Sequence, residues 1–231
     1  MKRLSRRALA IHRRLLEVYG DPVWRRPLPP LDELVSTVLS QNTSDVNRDR
    51  AFDALRRRFP TWEAVRDAPR RSIIAAIRPA GLANLKGPRI QVILRRITAE
   101  RGDLDLDFLR ALPSDEIRSW LLRFQGVGRK TAAIVMLFAL DRPAFPVDTH
   151  VHRVTGRLGL RPPRATADQA HDLLGELFPP ETYRAAHLNL IRLGRHVCHA
   201  RRPACERCPV RKHCDYFRTV VRRQGRAARR R

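Results

Sequence analysis

Apolar residues recur at helical spacing along almost all of this 231-residue chain, and no run of residues alternates convincingly between apolar and polar as a strand would. The pattern therefore predicts an all-α protein, and it locates each helix end to within a few residues. The predicted helices span about 6–19, 31–42, 46–58, 62–67, 70–78, 86–100, 105–111, 115–124, 129–140, 149–158, 167–177 and 181–197.

Local signals support several of these helices. Pro29 and Pro30 precede the second helix, where a proline is tolerated because the first helical N–H groups have no partner. Thr166, followed three residues later by Gln169, predicts a capping box. The segment 134–140 is apolar on all sides, so we expect that helix to be buried centrally.

The charge of the chain is strongly positive. It carries 47 lysine and arginine residues against 23 aspartate and glutamate residues, a formal net charge of +24 at pH 7. This balance favours a polyanionic partner, and nucleic acid is the first candidate. An anionic membrane surface is the alternative, although no apolar run is long enough to span a membrane. The first 20 residues lack the features of a secretion signal, so we expect a cytoplasmic protein that associates with the nucleoid through DNA.

Arginine accounts for nearly all of the basic residues. Guanidinium groups bind phosphate in a two-pronged fashion and keep their charge, but a GC-rich genome would produce the same bias without any function. In either case, a lysine kept at a pivotal position is an informative residue. The four lysines are Lys2, Lys86, Lys130 and Lys212.

All four cysteines lie in one short segment near the end of the sequence, with the spacing C-x6-C-x2-C-x5-C. Four thiolates that converge from a loop-rich segment are typical of a structural metal site. Disulfides would need an oxidising compartment, and chance clustering is the remaining alternative. The spacing alone leaves both zinc and a [4Fe–4S] cluster open. The candidate ligands are Cys198, Cys205, Cys208 and Cys214.

Two glycines interrupt the helical pattern in the sequence LLRFQGVGRKTAA, which covers 121–133. Gly126 and Gly128 allow a tight reversal between two helices, and Val127 between them can fill the seam. The backbone N–H groups at the start of the second helix favour an anion, so this helix-hairpin-helix is a candidate clamp for DNA phosphate. Lys130 follows in the first turn, where a free amine can attack an electrophilic sugar carbon and form a Schiff base. An ordinary surface lysine is the alternative.

Asp148 lies 18 residues after Lys130, within the sequence PVDTHVH. It is a predicted N-cap for the helix that follows. Its carboxylate could also accept a proton or stabilise positive charge at a sugar carbon, and the two roles are compatible. His150 and His152 would not share a helical face, so we interpret them as structural or DNA-facing residues rather than metal ligands.

The combination of these features resembles the endonuclease III branch of the helix-hairpin-helix DNA glycosylases. Three motifs carry the resemblance, which covers about residues 31 to 217. In chain order they are Gly126-Val127-Gly128-Arg129-Lys130-Thr131-Ala132, then Val147-Asp148-Thr149-His150, and finally the four cysteines.

The resemblance implies a [4Fe–4S] cluster and two helical lobes. One lobe is a helical barrel over 32–142 that contains the helix-hairpin-helix. The other is a cluster lobe formed from 1–31 and 143–217. Independently of the resemblance, the segment 218–231 is rich in arginine with little apolar content after Val221, which predicts a basic, disordered tail. DNA would bind in a groove between the lobes, and the partner would be double-stranded DNA with damaged bases or abasic sites, bound by a monomer.

The resemblance also implies a mechanism. The damaged nucleotide is flipped out of the duplex, Asp148 supports attack by Lys130 at C1′, and β-elimination then cuts the strand. Gln41 and Leu82 look like the residues that fill the vacated space and wedge the opposite strand, although each could simply be structural. Arg129 belongs to the hairpin motif, and Arg201 and Arg202 are candidate phosphate contacts.

Some positions depart from the family pattern. The hairpin begins Phe124-Gln125-Gly126 where the family usually has Leu-Pro-Gly, and the acidic residue of the early motif, Asp45, comes one place late. Because of these departures the substrate class stays open, and oxidised pyrimidines are the first class that we expect. The alternatives are a monofunctional uracil or thymine mismatch glycosylase and a non-catalytic DNA-binding module held by zinc.

Overall fold

The structure is a computed structural model that describes residues 2–23 and 27–221. Within these ranges all regular secondary structure is helical and no β-strand occurs, which confirms the all-α prediction. No helix in the described ranges is long and apolar enough to cross a membrane.

The described residues form two compact units, which fall within Met1–Arg25 together with Pro143–Arg231 and within Arg26–Arg142. We call them the terminal unit and the central unit. The terminal unit contains α1 (Lys2–Tyr19), α9 (Thr149–Leu158), α10 (Ala167–Leu177) and α11 (Tyr183–His196). The central unit contains α2 (Pro30–Leu39), α3 (Asp45–Arg58), α4 (Trp62–Asp67), α5 (Arg70–Ala76), α6 (Ala83–Arg101), α7 (Ser114–Leu122) and α8 (Arg129–Ile134).

The core of the central unit is built around α2. Nearly every residue of this helix is buried, because it packs against α3 and α6 as well as α8. The last of these runs directly into a π-helical segment, Val135–Ala139, whose five residues are all buried. The prediction that the segment 134–140 lies at the centre of the fold is thereby confirmed.

The terminal unit is held together by α11, against which both α9 and α1 pack. The predicted capping box at the start of α10 is present. The Gln169 N–H donates to Thr166 Oγ1 at 3.2 Å, and the Thr166 N–H donates to Gln169 Oε1 at 2.9 Å. Two otherwise unpaired backbone donors are satisfied in this way.

Several predicted helix ends differ from the structure: the first helix begins at Lys2 and not at 6, and the segment predicted as a helix over 105–111 is a 3-10 helix, Asp107–Ala111. Two further differences lie next to predicted site residues. The helix predicted over 31–42 ends at Leu39, and the one predicted over 86–100 begins at Ala83. Two non-glycine residues with positive φ lie near these ends, Asn42 with φ 52° and Leu82 with φ 49°. Such residues stop a right-handed helix, and nothing in the local apolar pattern reveals them.

The predicted tail over 218–231 begins inside a helical turn. A π-helical segment, Phe217–Val221, includes the first four residues of the predicted tail, and Thr219 Oγ1 donates to the carbonyl of Asp215 at 2.8 Å. The rest of the predicted tail lies outside the described residues.

Candidate functional site

The glycine turn joins α7 to α8 as the sequence predicts. Gly126 has φ 84°, a conformation that disfavours any residue with a Cβ, and the Val127 N–H donates to the carbonyl of Phe124 at 3.0 Å. Val127, which lies between the two glycines, is buried. Gly128 is the N-cap of α8 and is exposed, with open space where a Cβ would be. A ligand can therefore approach the backbone closely at the start of α8.

Gln41 is held against this turn by two hydrogen bonds. Its Nε2 donates to the carbonyl of Gly126 at 2.9 Å, and Arg89 Nη1 donates to its Oε1 at 3.2 Å. A side chain at position 126 would collide with Arg89, so the glycine also makes room for this arginine. The structure thus brings together two predicted site residues, and it adds Arg89, which no motif or pattern in the sequence indicates.

Lys130 is the second residue of α8 and is half-buried. Arg129 before it is also half-buried, whereas every residue from Thr131 to Leu140 is buried. Lys130 is consequently the last residue of this helix that a ligand can reach before the helix enters the core.

Leu82 stands out as an exposed apolar residue in an unfavourable backbone conformation. Its φ and ψ are 49° and 32°, and 51% of its surface is exposed. Leu85, one turn further along, is also exposed. An apolar side chain held in this way is consistent with the predicted wedge.

Asp148 caps α9 in the terminal unit, as predicted. Its Oδ1 accepts the N–H of Val151 at 2.7 Å, and its own backbone is extended. The side chain is half-buried. A carboxylate has more than one acceptor site, so the cap leaves capacity for a second partner.

The two histidines after Asp148 make protein contacts. His152 Nδ1 lies 3.1 Å from Arg161 Nη2, and its Nε2 lies 3.0 Å from the carbonyl of Ala165. His150 Nδ1 lies 3.1 Å from Arg153 Nη2, and burial is the main cause that lowers the pKa of His150. Both contacts agree with the structural interpretation.

The four cysteines line a partly open recess in the terminal unit. The recess is closed mainly by apolar side chains, among them Val154, Leu158 and Leu193. Burial raises the pKa of Cys208 to about 11, and it also raises the pKa of Cys205 and of Cys214. Free thiols would thus stay protonated here, whereas bound iron supplies the positive charge that stabilises thiolates. The donor set and the recess fit a cluster with four thiolate ligands.

Arg157 ties the cysteine loop to α9. Its Nη1 donates to Cys198 Sγ at 3.3 Å and to the carbonyl of His199 at 2.6 Å, and its Nη2 donates to the carbonyl of Ala200 at 2.9 Å. Arg201 and Arg202, the next two residues, are exposed. One helix therefore carries Asp148 at its start and anchors the two candidate phosphate contacts near its end.

Residues 35–180 match the family described as HhH-GPD superfamily base excision DNA repair protein. Residues 198–214 match the iron-sulfur binding domain of endonuclease III. The second match covers all four cysteines and decides the question that their spacing left open, in favour of a [4Fe–4S] cluster over zinc.

Individual relatives agree with these matches. Endonuclease III of Thermotoga maritima is 33% identical over 189 residues, which is 82% of this chain and 84% of that protein. The Arabidopsis thaliana protein At3g47830 is 43% identical over 151 residues, 65% of this chain but only 52% of that protein. The chain thus spans about half the length of that plant relative.

A solved structure extends the likeness to the backbone. The structure of a trapped endonuclease III–DNA covalent intermediate superposes with a TM-score of 0.82 at 26% identity, covering 94% of this chain and 98% of that one. With the glycine turn, the capping aspartate and the cysteine loop all in place, this chain belongs to the endonuclease III family within the HhH-GPD superfamily of base excision DNA repair proteins.

Proposed function

We propose that this chain removes damaged bases from DNA and then cleaves the resulting abasic site, with Lys130 as nucleophile and Asp148 as its carboxylate partner. The observation that carries the proposal is the position of Lys130, which is the last accessible residue of α8 and directly follows the glycine turn. The covalent DNA complex of the relative supports it, because such a complex requires a nucleophilic residue. We also propose that the chain acts as a monomer.

The proposed reaction begins when the damaged nucleotide leaves the base stack, because C1′ cannot be reached inside the duplex. The neutral amine of Lys130 bonds to C1′ while the bond between C1′ and the base breaks, and the base leaves with the electron pair and takes up a proton. Asp148 stabilises the positive charge that develops at the sugar. The attached nitrogen then loses a proton and the bond between C1′ and O4′ breaks, so that the sugar ring opens, O4′ takes up a proton and a Schiff base forms. The Schiff base allows loss of a C2′ proton and departure of the 3′ phosphate with the electron pair of its C3′–O bond, which breaks the strand.

We propose oxidised pyrimidines as the substrate class, with uracil or thymine in mismatches as the competing class. The test is a panel of duplexes that each carry one lesion, with products separated before and after alkali. Strand breaks without alkali at an oxidised pyrimidine are the expected result. Breaks that appear only after alkali, at uracil or mismatched thymine, would instead indicate a monofunctional mismatch glycosylase.

The iron-sulfur cluster is expected to hold the terminal unit together. Cys198, Cys205, Cys208 and Cys214 would be its ligands, and the cluster would fix the loop that carries Arg201 and Arg202.

Cys205→Ser should therefore lower the free energy of unfolding by about 4 kcal/mol or more, since it removes a ligand of a structural metal site. Iron content, visible absorption and melting temperature measure the loss. Ala204→Ser puts the same side chain one position earlier and should leave all three unchanged. A Cys205→Ser protein that is folded, binds DNA and lacks only catalysis would contradict this structural role.

Binding to DNA is expected to weaken steeply with salt. Each phosphate contact that is made releases counterions, so about four contacts would lower affinity on the order of 10²-fold between about 50 and 200 mM salt. Replacing both Arg201 and Arg202 by glutamine should reduce the slope of log affinity against log salt by about 2. Fluorescence anisotropy at several salt concentrations measures it. Arg14→Gln, which removes an exposed arginine from α1, serves as the control. If it changes the slope equally, Arg201 and Arg202 are not specific phosphate contacts.

A further inference from the structure

Lys86 is a buried lysine that the proposed chemistry does not use. It lies in the second turn of α6 and is only 1% exposed. Its ammonium donates to two backbone carbonyls, that of Leu39 at 2.8 Å and that of Ala80 at 2.7 Å. Burial of a charged ammonium group is unfavourable unless polar groups surround it, and the two carbonyls are such groups. Their positions in the chain indicate what the lysine does.

The two carbonyls are placed alike in the chain. Leu39 is the last residue of α2 and lies two residues before Gln41. Ala80 is the last residue of a short 3-10 helix and lies two residues before Leu82. Carbonyls at helix ends have no partner within the helix and carry partial negative charge, so both suit an ammonium group. One side chain thereby joins the starts of the two segments that carry the proposed DNA-entering residues.

Lys86 also holds the Leu82 turn from its other side. The backbone N–H of Lys86 donates to the carbonyl of Leu82 at 3.0 Å, while its ammonium binds the carbonyl of Ala80. Leu82 has a left-handed backbone and an exposed apolar side chain, an arrangement that persists only when its surroundings fix it. The next turn of α6 supplies Arg89, which binds the Gln41 side chain.

The residue type fits this task. An ammonium group is compact and can donate in several directions, whereas a planar guanidinium is larger and donates in a fixed plane. A lysine at this position is therefore understandable even in a chain whose basic residues are almost all arginine. Burial lowers the pKa of Lys86 to about 8, so the ammonium form still predominates at neutral pH.

We propose that Lys86 is a positioning residue that fixes the Gln41 and Leu82 segments together, so that both side chains are held ready to enter DNA. The inference rests on the proposed function, which assigns these two side chains to the gap and the opposite strand. It makes Lys86 responsible for the geometry of DNA entry and not for the chemical step.

The test uses duplex DNA with a stable abasic-site analogue opposite 2-aminopurine, whose fluorescence rises when the base is unstacked. The full protein should raise this fluorescence on binding, and Leu82→Ala should not. Lys86→Met keeps the length of the side chain but removes its donors. We expect it to reduce the fluorescence rise at saturating protein several-fold, because the two carbonyls lose the donor that joins them.

Gln91 provides a matched control in the same helix. It is 3% exposed, and its Nε2 donates to the carbonyls of Val65, Arg66 and Ala68 at 3.1, 3.3 and 2.8 Å. These carbonyls lie in α4 and at its end, so the Gln91 side chain binds neither of the two proposed DNA-entering segments. Gln91→Met should therefore lower the melting temperature while the fluorescence rise at saturating protein stays that of the unaltered protein.

Each outcome decides one question. If the unaltered protein binds without a rise in fluorescence, the proposed DNA-entering role itself is wrong. If the unaltered protein shows the rise in fluorescence and Lys86→Met shows an equal rise, only the proposed role of Lys86 is overturned. The role of Lys86 is also overturned if Gln91→Met loses as much of the fluorescence rise as Lys86→Met does. Should Lys86→Met fail to fold, Lys86→Gln, which keeps a donor, decides: an intermediate rise supports the inference and an unchanged one overturns it.

Discussion

Replacement of Lys130 by alanine is expected to abolish covalent trapping of this protein by borohydride on duplex DNA that carries one abasic site. Borohydride reduces a Schiff base to a stable amine, so an adduct forms only if an amine of the protein has bonded to C1′. Lys130 occupies the one turn of α8 that is accessible, directly after the turn that Gln41 braces. Single-turnover strand cleavage should fall on the order of 10³-fold or more, as for loss of other enzyme nucleophiles.

The small number of lysines makes this experiment unusually clear. Lys130→Arg keeps the positive charge and any phosphate contact but cannot form a Schiff base, so it should bind DNA normally and still give no adduct. Lys2→Ala, which removes an exposed lysine from α1, should trap as well as the unaltered protein. If Lys130→Ala still forms the covalent adduct, the nucleophile is a different amine of the protein.

The sequence predicts the helices well where their ends depend on neighbouring residues. The helices predicted over 62–67, 149–158 and 167–177 begin and end as predicted, because Thr61, Asp148 and Thr166 cap their own helices through short-range hydrogen bonds. The ends near Gln41 and Leu82 were predicted less well. Asn42 and Leu82 have positive φ there, and the periodicity of apolar residues contains no information on such backbone conformations.

The candidate site shows the same division. The glycine turn, Lys130 and the cysteine spacing are local motifs and could be identified directly from the sequence. The contact between Gln41 and Gly126 joins residues 85 positions apart, and the bond from Lys86 to Leu39 joins residues 47 apart. The one available signal for Lys86 was its residue type, since lysine is rare in this chain. Family resemblance supplied roles for Gln41 and Leu82, but only the fold shows what holds them.

Asp148→Asn is expected to lose catalysis while the protein remains as stable as before. Asparagine caps a helix about as well as aspartate, so the bond from the Val151 N–H can be kept and the change in stability should stay within about 0.5 kcal/mol. The carboxylate charge is lost, however, and with it the stabilisation of positive charge at C1′. We expect single-turnover base excision to slow by about 10²- to 10⁴-fold, the range found for acid–base and electrostatic catalysts.

Two further variants separate the cap from the chemistry. Asp148→Ala removes both the cap and the carboxylate, so it should cost about 1 kcal/mol of stability and slow base excision as much as Asp148→Asn does. Thr166→Ala removes the N-cap of α10 in the same unit and should cost a similar amount of stability without slowing excision. If activity instead follows melting temperature across all three variants, Asp148 acts through its cap alone. If Asp148→Asn is stable and inactive, the carboxylate itself takes part in the reaction, because the cap has been kept and only the charge has changed.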